Sequence, residues 1–101
     1  LNGVRILSRT TIETIMSNQT GDLFGGGNSH YGLAFGVLTE SGVTRGGQGS
    51  FGTFDWGGYF NTQYFADPQE KIVGILMKQT QGGNDNTGWK FRLLVGAAVD
   101  D

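Results

Sequence analysis

The sequence predicts an α+β fold: an antiparallel sheet packed with an N-terminal and a C-terminal helix. Three observations carry this. Residues 7–18 hold an apolar stripe at helical spacing, residues 31–38, 57–66 and 71–79 are β-prone runs separated by turn residues, and apolar residues at helical spacing return from Thr87 onward. The order helix, strands, helix argues an antiparallel layer with both helices against it.

The first helix has Ser8 as its N-cap, with Leu7 and Ile12 as the two halves of a hydrophobic staple. Ile12, Ile15 and Met16 form its stripe, read as core packing, and the helix should stop between Asn18 and Gly21. Residues 21–29 read as loop from their glycine and polar content. Tyr31, Leu33, Phe35 and Val37 then alternate along one strand, and Glu40-Ser41-Gly42 is a turn. Residues 43–55 keep no sustained period and are expected to be a loop with short extended pieces. A strand over 57–66 leads to a tight turn at Asp67-Pro68-Gln69-Glu70, where Pro68 brings its φ already set for the second turn position. The returning strand, Lys71 to Gln79, contains the near-continuous apolars Ile72, Val73, Ile75, Leu76 and Met77. Such a run predicts burial on both faces in mid-sheet. After a polar loop, the last helix runs from Thr87 to about Val99, with Phe91, Leu94, Val95 and Ala98 along one side.

The 101 residues fit one unit, and a chain of this size buries roughly two thirds of its unfolded surface. Nineteen glycines, clustered at 25–27, 46–52 and 82–83, read as loops around a few ordered elements. No period of 20–50 residues is present, which excludes a solenoid. Net charge is −2 and the seven cations are scattered from Arg5 to Arg92, so nothing supports nucleic-acid binding, which needs clustered cations against phosphate. No apolar run is long enough for a membrane span. With no cysteine, disulfide and thiolate chemistry are ruled out. The chain opens on Leu1 without a charged-then-apolar leader and reads as part of something longer.

Few residues invite a chemical role. His30 is the sole histidine and lacks carboxylate or thiol neighbours at ligand spacing, so no metal is expected and a strand-start residue is the natural reading. Asp55 beside Trp56 is either a positioned carboxylate or a turn or capping residue. Asn18-Gln19-Thr20 fits a glycosylation acceptor. Gly47-Gln48-Gly49-Ser50-Phe51-Gly52 satisfies a dinucleotide fingerprint, but Thr53-Phe54-Asp55-Trp56 is no helix start, and the match is rejected. Tyr59-Phe60-Asn61 matches a tyrosine-x-asparagine catalytic element, yet it lies inside a predicted strand and is set aside as coincidence. Neither S-x-x-K nor G-x-S-x-G occurs, so the chain carries no activated nucleophile.

The most informative stretch is Asp55-Trp56-Gly57-Gly58-Tyr59-Phe60-Asn61-Thr62. Paired glycines in an aromatic, β-prone run lose packing and entropy, so something is expected to approach that backbone closely: another strand, or a ligand.

In order and spacing these elements resemble the β-lactamase-family serine hydrolases, the group of class C β-lactamases, D,D-peptidases and related esterases. Leu1 to Ser8 leading into Thr11-Ile12-Glu13, Met16 and Asn18-Gln19 is similar to the helix near that family's C-terminal third. Tyr31-Gly32-Leu33-Ala34-Phe35-Gly36-Val37 resembles its "G-L-G-F-G-V" strand. Gly49-Ser50-Phe51-Gly52, Trp56-Gly57-Gly58 and Ala66-Asp67-Pro68 resemble its third motif and the hairpin behind it. The likeness spans residues 1 to about 80, and the last helix fits by position alone.

The resemblance implies that residues 1–101 are one unit, a C-terminal fragment of a larger serine hydrolase domain of the β-lactamase/transpeptidase-like fold. Trp56, Gly57 and Gly58 would be the substrate-binding third motif, and the backbone N–H of Tyr59 the second oxyanion-hole donor beside the nucleophilic serine's own. The serine, its lysine and the tyrosine base would lie upstream, outside this chain. No cofactor is implied. The partners implied are a small ester, amide or β-lactam substrate and the missing N-terminal part of the same protein. A homodimer of the fragment is a further expectation, because a cut sheet exposes edges and apolar surface. The family favours a periplasmic or secreted location. Trp56 stands where a cation is usual, which shifts the expected activity toward an esterase, amidase or unassigned hydrolase, and Thr53-Phe54-Asp55 looks like a short insertion. A reading from another class remains beside it: a non-catalytic binding module in which Trp56, Tyr59, Phe60, Tyr64 and Phe65 present an aromatic strand to a sugar or peptide.

Overall fold

The computed structural model describes residues 2–23, 30–44, 48–83 and 85–99. Its elements are α1 (Arg9–Ile15), β1 (His30–Tyr31), β2 (Gly36–Val37), α2 (Glu40–Thr44), β3 (Phe54–Gly57), β4 (Gln63–Asp67), β5 (Ile72–Leu76) and α3 (Thr87–Ala98). The strands form one antiparallel five-stranded sheet in the order β1-β2-β3-β4-β5, with helices at both ends of the chain. This is the α+β class that the sequence predicts. No helix among the described residues is long and apolar enough to cross a membrane.

Helix α1 starts where its cap requires: the Ser8 hydroxyl oxygen accepts the Thr11 amide at 3.1 Å. It ends earlier than the spacing suggests. The Ser17 hydroxyl and the Gln19 amide both donate to the Thr14 carbonyl, at 3.0 Å each, drawing the polar tail out of the helix. Its stripe is covered only in part, with Ile15 and Met16 half-buried. No α1 residue is buried, and Ile12 remains 47% exposed. The helix joins the β1 end of the sheet through two main-chain bonds, Leu33 N–H to Ile15 O at 3.0 Å and Gln19 N–H to Tyr31 O at 2.8 Å.

Two predicted strands are hairpins instead. Within 31–38 the chain reverses where Gly32 N–H donates to Phe35 O at 3.0 Å, so His30 faces Val37 and Tyr31 faces Gly36. Within 57–66 it reverses again. Gly58 N–H donates to Thr62 O at 2.7 Å, and Asn61 N–H donates to Gly58 O at 3.0 Å. In this second turn only Asn61 has a positive φ, 64°. Types II, I′ and II′ all need a positive φ at a central residue, which leaves a type I turn over 58–61 closed by a left-handed Asn61. The segment around Glu40-Ser41-Gly42 is the short helix α2, not a turn. The Asp67-Pro68-Gln69-Glu70 turn is present as expected, with Lys71 in the left-handed region (φ 60°) before β5 begins.

Alternation along the strands sorts the sheet into two faces. On one, Phe65 is buried opposite Gly74, with Phe91 of α3 edge-on at 6.1 Å and the Arg92 guanidinium 5.2 Å over its ring. Helix α3 packs across this face, whereas α1 meets the sheet through the main-chain bonds at its β1 end, and Leu94, expected inward, is 70% exposed. On the other face Phe35, Phe54 and Tyr64 cluster, and beyond them Trp56, Val73, Ile75 and Met77 are open to solvent. Strand β5 is therefore an edge strand with one bare face, not a mid-sheet strand buried on both sides.

Asp67 fastens the turn to the glycine-rich loop. Its carboxylate accepts the amides of Ser50 (2.9 Å), Gln69 (3.0 Å) and Glu70 (3.2 Å). Burial pushes this carboxyl up, but the Ser50, Glu70 and Gln69 donors outweigh it and hold it below the usual carboxylate range. A lowered folded pKa gives stability that is complete above the unfolded value of about 4 and is lost as pH falls through the folded one. Asp67→Asn is thus expected to be less stable than wild type by about 1–2 kcal/mol at pH 7. The difference should shrink in acid, as pH falls through the lowered folded-state value and wild-type Asp67 also becomes neutral. Urea unfolding at pH 7 and in acid checks it.

Candidate functional site

Strand β3 has a partner on both sides for only half its length. On the β4 side, Phe54, Asp55, Trp56 and Gly57 pair with Ala66, Phe65, Tyr64 and Gln63. On the β2 side, only Phe54 and Asp55 pair, with Val37 and Gly36. In an antiparallel ladder successive residues direct their N–H and C=O to opposite neighbours. Gly58 bonds toward β4, and Leu38 N–H donates to Thr53 O on the β2 side at 2.8 Å. By this alternation the polar groups of Gly57 point to the β2 side, where no strand among the described residues accompanies them. The Tyr59 amide, inside the turn, donates to no backbone acceptor among the described residues.

The two glycines differ in what holds them. A Cβ at Gly58 would overlap the Thr62 hydroxyl, so the Thr62 side chain as placed here requires glycine at 58. A Cβ at Gly57 would meet nothing closer than Thr62 O at 3.9 Å, and its φ is not positive. Packing within the described residues leaves Gly57 unexplained.

Beside this backbone lies a shallow groove of about 280 Å³. Trp56, Gly58, Tyr64, Ile75 and Met77 line it, and no charged side chain does. Trp56 is held edge-on against Tyr31 at 6.0 Å and stays 53% exposed. A smaller hollow of about 230 Å³ on the other side of the strand is bordered by Asp55, Gly57, Gln63 and Arg92. There the Arg92 guanidinium donates to Asp55 at 2.6 Å and to the Gln48 carbonyl at 3.3 Å. Asp55 is therefore neither a turn nor a capping residue. It is the strand partner of a helix arginine, which adjacency to Trp56 could not reveal.

The hairpin turn is tied to the loop after β5. Thr80 N–H donates to Phe60 O at 3.1 Å, Asn61 Nδ2 donates to Thr80 O and Oγ1, and the Gln81 side chain donates to the Tyr59 hydroxyl. Asp85 closes the loop, 2.8 Å from Lys78 Nζ. Hydrogen bonds from Lys78 above all, then from Thr87, hold its carboxyl well below the usual range. Sequence reasoning missed this cluster. Its members lie 5 to 22 residues apart and were divided between the expected strands, which took in Asn61 and Lys78, and the polar loop after them, so no local signal joined them.

The remaining candidates take structural places. His30 opens β1, buried, with Nδ1 3.2 Å from the Thr39 hydroxyl. In the fingerprint-like run, Gly47 lies outside the described residues, and Gly52 leads into β3 rather than a helix. Tyr59-Phe60-Asn61 lies in the turn, not in a strand. Asn18 accepts the Thr20 amide at 3.1 Å in an exposed turn. Among the described residues no group of histidines or carboxylates is placed to hold a metal ion. A gap of about 300 Å³ between α3 and the sheet is lined in part by Asp67 and Arg92, both already committed to structural bonds. The aromatic platform is split: Trp56 and Tyr64 share the open face, whereas Phe65 points to α3. Comparison with protein-family models and with curated proteins finds no match to this chain.

Proposed function

We propose that this chain is the C-terminal portion of a β-lactamase-like serine hydrolase. In the parent, an upstream serine attacks a carbonyl, and the resulting acyl-enzyme is hydrolysed by water. This portion contributes one wall of the site. The Tyr59 N–H is the second oxyanion donor, Gly57 and Gly58 leave the strand edge clear for the substrate, and Trp56 is an apolar pocket face.

The observation that carries the reading is the half-paired strand: among the described residues, past Asp55 nothing pairs with the β2-side edge of β3, and the Tyr59 amide has no backbone acceptor. Main-chain donors held by a sheet are preorganised for charge that develops on a substrate oxygen. Gly57, which the chain's own packing does not require, fits a backbone that a ligand approaches. The exposed Trp56, Val73, Ile75 and Met77 fit a sheet face that the rest of the parent covers. With Trp56 in the cation's place and no charge lining the groove, an ester or amide with an uncharged acyl part suits it better than a carboxylate-bearing β-lactam.

Two measurements test the proposal together. The 101-residue chain should hydrolyse neither nitrocefin nor p-nitrophenyl acetate, because it holds no nucleophile. The coding sequence upstream of Leu1 should encode S-x-x-K, and a fluorophosphonate should label that serine in the parent. Turnover by the chain alone, or an unrelated module upstream, overturns the reading. The latter favours a binding module, for which the exposed Trp56, Tyr59 and Phe60 are the supporting observation.

A further inference from the structure

We infer that Asn61, Thr80 and Asp85 are positioning residues, a polar strut that fixes the Tyr59 amide relative to the sheet and α3. The inference rests on that amide being an oxyanion donor. Tyr59 is 72% exposed and Phe60 47% exposed, so apolar burial does little to hold the turn that carries them. Polar bonds hold it instead, and their directions are fixed by chemistry. The Asp85 carboxylate only accepts, so the single Thr80 hydroxyl proton goes to it, at 3.3 Å. The same hydroxyl oxygen then accepts from Asn61 Nδ2 at 3.0 Å, while that nitrogen also reaches Thr80 O at 3.2 Å. The other Asp85 oxygen accepts the N–H of Thr87, the first residue of α3, at 3.0 Å. One hydroxyl thus links the turn to the helix.

Residue 61 supports this on its own account. Its φ of 64° favours glycine, and asparagine is the usual second choice. Asparagine keeps the turn and adds the arm that reaches Thr80. Placement matters because an oxyanion donor works only within about 2.7–3.1 Å of its oxygen, and a shift of about 1 Å can lower the rate roughly 100-fold.

The test uses Thr80→Val, which removes the joint and keeps the branched shape, Asn61→Gly, which keeps the turn and removes the arm, and Thr80→Ser as the conservative rescue. In the 101-residue chain, amide exchange of Asn61 and Thr80 should quicken at least about 10-fold in the first two and stay as in wild type in Thr80→Ser. In the parent, kcat for an ester should fall about 10-fold or more with KM little changed, and Thr80→Ser should restore it. A general loss of folding would quicken exchange along every strand, so exchange confined to the turn separates the strut from overall stability. A parent that never forms an acyl-enzyme sinks the oxyanion reading, whatever the exchange data. A parent that acylates yet is indifferent to Thr80→Val and Asn61→Gly, or a chain whose Asn61 and Thr80 amides do not respond, sinks the strut.

Discussion

Gly74→Val is expected to lower the stability of the chain by about 3 kcal/mol, the upper end for overpacking a filled site. Gly74 lies directly opposite Phe65 on β4, and a Cβ there would overlap the Phe65 ring. The ring has no easy retreat. It is 8% exposed, with Phe91 edge-on at 6.1 Å on the α3 side and the Arg92 guanidinium at 5.2 Å. Arg92 is itself held by Asp55, so moving Phe65 disturbs the contact between α3 and β3 as well. Total stability for a domain is only about 5–15 kcal/mol, so such a loss should be plain in a urea midpoint. Gly96→Ala is the control: a Cβ there meets nothing within 4 Å, and alanine should raise stability by up to about 1 kcal/mol. Equal midpoints for Gly74→Val and wild type would show that Phe65 is not pinned as described.

What the sequence made legible was local. The Ser8 cap and the Asp67-Pro68 turn each rest on a residue type whose backbone preference acts within a few positions, and α3 starts at Thr87, where helical spacing returns. The α+β class followed from the order of such elements. Errors arose where alternation was trusted across a turn. Residues 31–38 and 57–66 alternate well enough to read as single strands, but a hairpin preserves the alternation on each arm and hides the reversal between them. The β5 error has another cause. A near-continuous apolar run predicts two covered faces, whereas here Val73, Ile75 and Met77 are uncovered at a sheet edge. Composition reports what a strand can bury, not which neighbours this chain supplies. At the candidate site the diglycine was visible as a motif, but its two members were indistinguishable: only three-dimensional contacts separate Gly58, required by Thr62, from Gly57, required by nothing described. Arg92 facing Asp55 across 37 residues left no sequence signal at all.

Tyr59→Pro is expected to abolish most catalysis in the proposed parent hydrolase while leaving the fold intact. Proline has no N–H, so the substitution removes the proposed donor itself rather than a side chain near it. Position 59 is the first central residue of the type I turn closed by Asn61 N–H to Gly58 O, where proline is favoured. Gly58 directly follows β3 and has no positive φ, so the extended conformation required before proline is compatible with it. Among the described residues the Tyr59 amide has no backbone acceptor to lose. Its side chain is 72% exposed, with the Phe60 ring at 5.1 Å and a bond from the Gln81 side chain. Stability of the 101-residue chain should therefore stay within about 1 kcal/mol of wild type, the gain from a stiffer unfolded chain offsetting those contacts. In the parent, losing one oxyanion donor should lower kcat by about 10²–10³. Tyr59→Ala separates the two roles of the residue: it removes the ring and keeps the amide, so kcat should fall by less than about 10-fold. A proline variant that folds and still turns over ester at the wild-type rate would exclude the Tyr59 amide from the chemistry, and with it the part assigned to the bare edge of β3.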